Sequence, residues 1–113
     1  MAIIYKIFRA DEYAAFAAAG HTKGAPIDLE DGYIHFSTAD QVEVTASKYF
    51  QGENGLKLLG VEAEGLGDAL RWEPSRGGAL FPHLYRDLRI EDVQFTHDLP
   101  FEHGSHLFAG LLV

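Results

Sequence analysis

"DGYIHFSTADQV", residues 31–42, predicts a short strand that runs directly into a helix. Successive side chains of a strand point to opposite faces, so Ile34 and Phe36 share one face, which we assign to the core. The residues on the other face are Tyr33, His35 and Ser37. We therefore expect His35 and Ser37 to point into a cleft rather than into the main core.

The helix that follows is marked by its start and by its apolar face. Thr38 and Gln41 have the spacing of a capping box, in which side chains bond the free backbone N–H groups of the first turn. The side chains that then fall on one helical face are Val42, Thr45, Ala46, Tyr49 and Phe50. This stretch therefore predicts a helix that packs on the core and ends before the QGENG segment.

The remaining segments predict an α+β fold. Strands are expected at residues 3–8, 56–63, 69–73, 92–99 and 106–113, with a short strand at 80–85 inside a structured loop over 74–88. LKLLGVEA at 56–63 is apolar on both faces, which favours a central strand. A second helix is expected at 10–20 and a loop at 21–31. The expected fold is one domain, residues 1–113, with a mostly antiparallel sheet and two helices in the N-terminal half.

Composition restricts the classes of function. The chain has 113 residues and no cysteine, which excludes disulfides, a thiol nucleophile and any cysteine-ligated metal. It has no 18-residue apolar run and no signal-peptide pattern, so we expect no membrane association and a cytoplasmic location. The formal charge of −8 would repel phosphates on average, and we expect no duplex nucleic acid as a partner.

Positive charge is concentrated in one part of the chain. The arginines of this part are Arg71, Arg76, Arg86 and Arg89. A local arginine cluster in an acidic protein suits a small anionic or nucleotide-like ligand. The alternative is that these arginines pair with the neighbouring carboxylates of Glu73, Asp87, Glu91 and Asp92.

Two segments carry the candidate ligand-binding residues. In the first, His35 lies just before Ser37 and Thr38, where a helix begins and its backbone N–H groups attract anions. The alternative for both hydroxyls is capping alone. The second segment is LRWEPSRGGALFPHLY at 70–85, and its candidate ligand-binding residues are Trp72, Ser75, Arg76, Gly77 and Tyr85.

Glu73 and His83 of the second segment are the candidate catalytic acid/base pair. The alternative is an aromatic mini-core in which Glu73 and Arg76 form an exposed ion pair. The histidines His97, His103 and His106 have no HExxH or H-x-H spacing, so no metal is expected.

Four segments together resemble one bacterial family, the domain of unknown function 952 family. They are YKIF, DGYIHFSTADQV, LLGVEAE and LRWEPSRGGALFPHLYRDL, and the resemblance covers residues 3 to about 95. Members of this family are small, single-domain proteins of no established activity. The resemblance implies the fold of that family and leaves the reaction open.

A more distant likeness is to the RNA 2′-phosphotransferase branch of the ADP-ribosyltransferase fold. It follows the order strand, helix ending in glycine, loop, IHFS, helix and LLGVEA. It implies a split, curved sheet around an NAD or ADP-ribose pocket, with His35 and Ser37 on its wall and residues 75–77 facing them. That superfamily carries an HGT-like histidine after its first strand, whereas this chain reads IFRAD, which makes Arg9 the candidate anion binder.

The sequence leaves two functions open. One is an enzyme acting on NAD, an ADP-ribosyl group or a phosphorylated small molecule, in a pocket formed by IHFS and WEPSRGG. The other is a non-catalytic ligand-binding or homodimeric interaction domain that uses the apolar LFAGLLV segment at 107–113.

Overall fold

A computed structural model describes residues 2–112, apart from the side chain of Arg76. The predicted ligand contact of that side chain and the last residue of the predicted strand over 106–113 lie outside the described part. None of the described helices is both long enough and apolar enough to cross a bilayer.

The described part contains short strands and helices in alternation. The strands are β1 (Ile3–Phe8), β2 (His21–Thr22), β3 (Ile34–His35), β4 (Leu56–Glu62), β5 (Leu70–Pro74), β6 (Leu80–Leu84), β7 (Leu88–Arg89), β8 (Val93–Leu99), β9 (Phe101–Glu102) and β10 (Ser105–His106). The α-helices are α1 (Ala10–Ala19), α2 (Pro26–Asp31) and α3 (Ala39–Tyr49). Short 3₁₀ turns occupy Ala63–Ala69, Arg76–Gly78 and Ile90–Asp92.

Two three-stranded antiparallel sheets form the body of the protein. Their strand orders are β1-β4-β8 and β3-β6-β5, and the ribbons β2-β7 and β9-β10 lie beside them. The prediction of an α+β fold with mostly antiparallel pairing is confirmed, as is the central position of β4. The predicted strands over 3–8, 56–63, 69–73 and 92–99 match β1, β4, β5 and β8 to within a residue or two.

Within the described residues, one backbone bridge, between Tyr5 and Ser37, joins the edges of the two sheets. The Tyr5 N–H donates to Ser37 O at 2.7 Å, and the Ser37 N–H donates to Tyr5 O at 2.9 Å. Among the described residues this bridge is the only backbone pairing between β1 and the segment around β3. Beyond it the two strands part, so the sheet is split and a gap opens between β1 and His35.

The core lies on both faces of β4. Leu59 belongs to a cluster with Phe16 and Ile34 on one side, and Leu58 belongs to a second cluster with Val42 on the other. Because neighbouring side chains of a strand alternate between faces, a strand buried on both sides has a continuous apolar run, which is what residues 56–63 show.

Helix α3 follows its sequence signal closely. The Thr38 N–H donates to Gln41 Oε1 at 3.0 Å, as the capping-box spacing predicts. Val42 and Ala46 are buried on its core side. Tyr49, which shares the predicted face, is exposed at the end of the helix.

The prediction of a loop over residues 21–31 is wrong in its second half. This segment contains a third α-helix, α2, with Pro26 at its start and Gly32 in a left-handed conformation after its end. The cause is Asp28, whose buried carboxylate accepts the Ala25 N–H at 2.8 Å and caps the first turn. The two-helix prediction is therefore corrected to three α-helices in the described residues.

The predicted strand over 106–113 is also wrong. Strand β10 ends at His106, and residues 107–112 form turns rather than a paired strand. Phe108 is buried in the cluster that contains Leu58, and Leu111 and Leu112 pack against it. The apolar character of this tail therefore reflects packing on the core and not pairing in a sheet.

Burial on both faces of β4 predicts equal sensitivity of Leu58 and Leu59, each of which has 0% exposure. Each substitution by Ala should lower the free energy of unfolding by about 2–5 kcal/mol, because each leaves a cavity in a different cluster. Urea denaturation measures both. Leu29→Ala, at an exposed position on α2, is the control and should change stability by less than about 0.5 kcal/mol. A near-neutral effect at either buried position would contradict the two-sided core.

Candidate functional site

A cavity of about 550 Å³ opens where β1 and β3 part. Its walls come from β1, the segment 25–37, α3 and β6, with one residue from the turn after β5. The sequence-predicted site residues that line it are Arg9, His35, Ser37, Ser75 and His83. Its volume is in the range of small-molecule sites, which is about 300–1,000 Å³.

Lys6 spans the gap between the two strands. Its Nζ donates to His35 O at 3.0 Å and to Asp28 Oδ2 at 2.7 Å. Lys6 is only 6% exposed although it is charged. Burial lowers the pKa of the Lys6 ammonium group, and the Asp28 carboxylate beside it opposes that change.

Asp28 is the acceptor that organises this side of the cavity. Its side chain has 0% exposure, and it accepts the His35 N–H at 3.0 Å and His35 Nδ1 at 2.6 Å in addition to the Lys6 ammonium group. Burial alone would raise the pKa of the Asp28 carboxyl, but the hydrogen bonds from His35 and Lys6 outweigh burial and hold that pKa below its usual range. Asp28 is therefore ionised at neutral pH and fixes the ring of His35.

The second ring nitrogen of His35 also faces a carboxylate. Nε2 lies 3.0 Å from Asp31 Oδ2, at the end of α2. The His35 side chain is 30% exposed and the Asp31 side chain 38% exposed, so this contact lies on the solvent side of the ring. His35 lines the cavity, and so does Phe36, which is buried like Ile34. The prediction that His35 faces a ligand stays a prediction.

The ring of Tyr33 contacts three other rings, including that of His35, at tilted angles. The ring centroid of Tyr33 is 4.7 Å from that of His35, 4.2 Å from that of His83 and 5.1 Å from that of Tyr85. Partial burial raises the pKa of the Tyr33 hydroxyl, and the nearby carboxylates of Asp31, Glu73 and Asp28 raise it further. Tyr33 is therefore a neutral aromatic surface next to two imidazoles, suited to stacking against a planar ring.

Glu73 and His83, the predicted acid/base pair, contact each other. His83 Nδ1 donates to Glu73 Oε1 at 2.8 Å, and the Tyr85 hydroxyl donates to the same oxygen at 2.7 Å. These bonds, that from His83 first, lower the pKa of the Glu73 carboxyl and keep it ionised. His83 lines the cavity, whereas Glu73 and Tyr85 do not. The described partners of Glu73 are His83 and Tyr85, and the alternative of a Glu73–Arg76 pair lies outside the described side chains.

Arg9 lies at the opposite end of the cavity and is already paired. Its Nε and Nη2 donate to the two carboxylate oxygens of Glu53 at 2.8 and 3.0 Å. A second carboxylate, Glu12, lies 3.5 Å from Nη1. The guanidinium stacks over the ring of Phe50, 4.9 Å from its centroid.

Besides Glu73 and Tyr85, three predicted site residues with described positions do not line the cavity. Trp72 pairs with Pro82 in the β5-β6 ladder, so strand alternation places it on the face opposite to Glu73 and His83, where it is 45% exposed. Thr38 begins α3. Gly77 lies in a 3₁₀ turn with φ of 66°, a left-handed conformation that glycine permits.

The two predicted serines, Ser37 and Ser75, both line the cavity but differ in burial. Ser37 is buried on the cavity wall, and its Oγ lies 2.9 Å from Thr45 Oγ1. Ser75 is exposed at the cavity edge. Both hydroxyls therefore face the same space from opposite segments.

Two side chains of the arginine cluster, those of Arg86 and Arg71, make contacts within the fold. Arg86 pairs with Asp92 at 2.9 Å, and Arg71 lies over the ring of Tyr85, 4.7 Å from its centroid. The backbone N–H of Arg89 donates to the same Asp92. For Arg86 the alternative of pairing with a neighbouring carboxylate is therefore correct.

The C-terminal histidines do not gather around a common point. His106 is buried, and its Nε2 lies 2.9 Å from Glu53 O. His97 stacks beside Phe95, with ring centroids 5.1 Å apart. Within residues 2–112, no three side chains of His, Cys, Asp or Glu are grouped in a way that could hold a metal ion.

Lys6, Asp28 and Glu53 were not singled out by sequence analysis. The signal for Lys6 was present, because a lysine inside the otherwise apolar strand IIYKIF is unusual. Asp28 and Glu53 gave no comparable signal, since their partners lie 22 and 44 residues away in sequence.

The fold and cavity define a small α+β protein with a split antiparallel sheet and a cleft between its halves. Residues 7–96 match the model of a family described as "Protein of unknown function (DUF952)". The chain belongs to this family, as its motifs predicted. A comparison with curated proteins finds no match.

Solved structures similar to this chain include those of the protein CC0527 from Caulobacter crescentus. Its crystal structure has 46% sequence identity and a TM-score of 0.91, with 95% of each chain covered. Its solution NMR structure has 47% identity and a TM-score of 0.84, with 94% of this chain and 91% of that chain covered. The likeness to the ADP-ribosyltransferase fold is not shown by these similarities and stays a prediction.

Gly24 is predicted to be irreplaceable because it lies against Asp28. A Cβ at Gly24 would lie 2.3 Å from Asp28 Oδ2, and its φ is already +106°. Gly24→Ala should therefore lower the free energy of unfolding by about 2–4 kcal/mol, from backbone strain plus displacement of the carboxylate. Gly20→Ala is the matched control, since φ is +83° there with nothing within 4 Å. Equal effects at both positions, measured by thermal unfolding, would contradict the close approach to Asp28.

Asp28→Asn should lower the free energy of unfolding by about 3 kcal/mol at neutral pH, because Lys6 is left buried without its counter-charge. The pKa of the Asp28 carboxyl is lower in the folded state than the ordinary aspartate value of about 3.9. Its stabilising contribution is therefore complete above that value and is lost as the pH falls through the folded pKa. Urea denaturation from pH 7 to pH 2.5 should show the difference from wild type narrowing below about pH 4.

The control for this titration is Asp68→Asn, at an exposed position. It should change stability by less than about 0.5 kcal/mol throughout. A difference between Asp28→Asn and wild type that stays constant down to pH 2.5 would show that the ionised carboxylate is not what stabilises this region.

Proposed function

We propose that the cavity binds a small nucleotide-like molecule through a planar ring, of the nicotinamide or purine type. The observation that carries the proposal is convergence. His35, His83 and Ser75 come from separate segments of the chain and line the same cavity, next to the aromatic surface of Tyr33. Connecting loops and core packing do not require polar groups to meet in this way.

The ring would lie against Tyr33 and the two imidazoles. Stacking of a base on an aromatic side chain contributes about 1–3 kcal/mol per base and tolerates different rings. Phe36 and Phe81 also line the cavity and supply apolar contact. The imidazoles of His35 and His83, whose orientations are fixed by Asp28 and Glu73, would contact the ring. Both nitrogens of His35 already face carboxylates, so a polar edge of the ligand would bond Nε2 only by replacing Asp31.

The hydroxyls of Ser37 and Ser75 suit a ribose or an amide. Ser37 Oγ shares one hydrogen bond with Thr45, which leaves further capacity on a hydroxyl that has one donor and two acceptor positions. The nucleoside parts of NAD and ADP-ribose combine a planar ring with a ribose, and the distant likeness to the ADP-ribosyltransferase fold supports these parts as candidates.

Binding is better supported than group transfer. Departure of nicotinamide from NAD develops positive charge on the ribose, which a carboxylate facing that ribose would stabilise. Glu73 does not line the cavity, and its carboxylate is bonded to His83, which does. The carboxylate that lines the cavity is Asp31, and it already contacts His35.

A homodimer built on residues 107–113 has less support. Phe108 is 6% exposed, and Leu111 and Leu112 pack on the same cluster. Leu107, at 37% exposure, is the large apolar side chain of this tail that remains at the surface. Most of the apolar area that would drive association is therefore used inside the fold.

The proposal predicts a saturable thermal shift with nicotinamide, adenosine, ADP-ribose or NAD. A ligand that binds the native state raises the free energy of unfolding by about 2.7 kcal/mol at a hundredfold excess over Kd. His35→Ala should abolish most of the shift, since the ring loses a contact and Asp28 loses its partner.

Trp72→Ala is the matched control, because Trp72 is a large aromatic residue on the opposite face of the same sheet. It should leave the shift unchanged. The absence of a shift with all four compounds at millimolar concentration, or its loss in the Trp72 variant as well, would contradict the proposed site.

A further inference from the structure

The cavity wall carries two cations among the described residues, and both are neutralised by the protein itself. Lys6 is committed to Asp28 and to His35 O, and it is buried. Arg9 is bidentate to Glu53, the geometry in which guanidinium and carboxylate interact most strongly. Neither cation is therefore available to a ligand phosphate unless an internal carboxylate is displaced.

One backbone N–H group at each of two helix starts beside the cavity is bonded by a side chain of the protein. The Arg9 N–H, before α1, donates to Glu12 Oε1 at 2.8 Å. The Thr38 N–H, before α3, donates to Gln41 Oε1 at 3.0 Å. These N–H groups would otherwise favour an anion, and each is already bonded to a side chain of its own helix.

Glu53 is held in place from outside the cavity. His106 Nε2 lies 2.9 Å from Glu53 O, and Gln51 Nε2 donates to Gly104 O at 2.7 Å. The ring of His106 packs against Phe101, with centroids 4.8 Å apart. The β9-β10 hairpin thereby holds the backbone of the loop over 51–55, from which the carboxylate of Glu53 reaches Arg9.

We infer that Glu53 is a specificity-determining residue, which makes the cavity select unphosphorylated nucleoside-type or free nicotinamide-type ligands over their phosphate esters. The inference rests on the proposed function and names its ligand class. Around Arg9 there are two carboxylates, Glu53 and Glu12, for one guanidinium. A phosphate placed there would displace Glu53 or meet excess negative charge, whereas an uncharged group would meet neither cost.

The test compares adenosine with adenosine monophosphate by calorimetry, on the wild type and on Glu53→Gln. The wild type should bind adenosine more tightly than the monophosphate. Glu53→Gln should tighten the monophosphate by about tenfold, because Arg9 becomes free to make a charge-assisted hydrogen bond. Adenosine affinity should change by less than about twofold, since adenosine has no group that would contact Arg9 as an anion.

Glu43→Gln is the matched control. Glu43 is exposed on α3 and its removal changes the net charge equally. It should leave the ratio of the two affinities as in the wild type. A wild type that prefers the monophosphate, or a ratio that Glu53→Gln does not change, would overturn the inference.

A second measurement separates failure of the inference from failure of the proposed function. The Arg9 Nε–H resonance is followed by NMR while inorganic pyrophosphate is added, which requires no ring-binding site. The resonance should shift saturably in Glu53→Gln and not in the wild type. If none of nicotinamide, adenosine, ADP-ribose and NAD binds but this difference is seen, the proposed function is wrong and the masking of Arg9 by Glu53 stands. Equal responses in both proteins, or none in either, would overturn the masking.

Discussion

The ion pair between Lys6 and Asp28 is the interaction on which the rest of the site depends. β1 and β3 part after the Tyr5–Ser37 bridge. There the Lys6 ammonium group donates to His35 O, which has no backbone partner in the described strand β1. A buried ammonium is costly unless it is paired and hydrogen-bonded, and Asp28 meets that requirement while capping α2 and fixing the His35 ring. One carboxylate thus couples the split of the sheet to the shape of the cavity wall.

Much of the fold could be predicted because its signals are local. The strand over 56–63 is apolar on both faces, and the helix after Thr38 has both a capping residue and an apolar stripe. Two errors arose where tertiary contacts decide the structure. Helix α2 is too short to show a helical period and is stabilised by Asp28. The apolar tail over 107–112 packs on the core without pairing, which composition alone does not distinguish from a strand.

The candidate site could be predicted in part, for a similar reason. Strand alternation predicted a cleft-facing position for His35 and Ser37, and both line the cavity, although Phe36 between them lines it too. The same rule applied to β5 would have placed Trp72 on the face opposite to Glu73 and His83. The pairing of Arg9 with Glu53 could not be read from the sequence, because the two residues are 44 positions apart and each is an ordinary surface residue by type. The sequence therefore indicated which residue types could bind a ligand. It did not indicate which charged side chains are already paired within the protein.

The central claim is that the space between the two halves of the sheet is a site for a planar ring. The most direct measurement is a set of ¹H–¹⁵N spectra of the wild-type protein during titration with nicotinamide and with adenosine. The predicted result is saturable shifts concentrated at the backbone amides of Tyr33, His35, Ser37 and His83. Shifts confined to the face that carries Trp72, or no shifts at millimolar ligand, would contradict the claim.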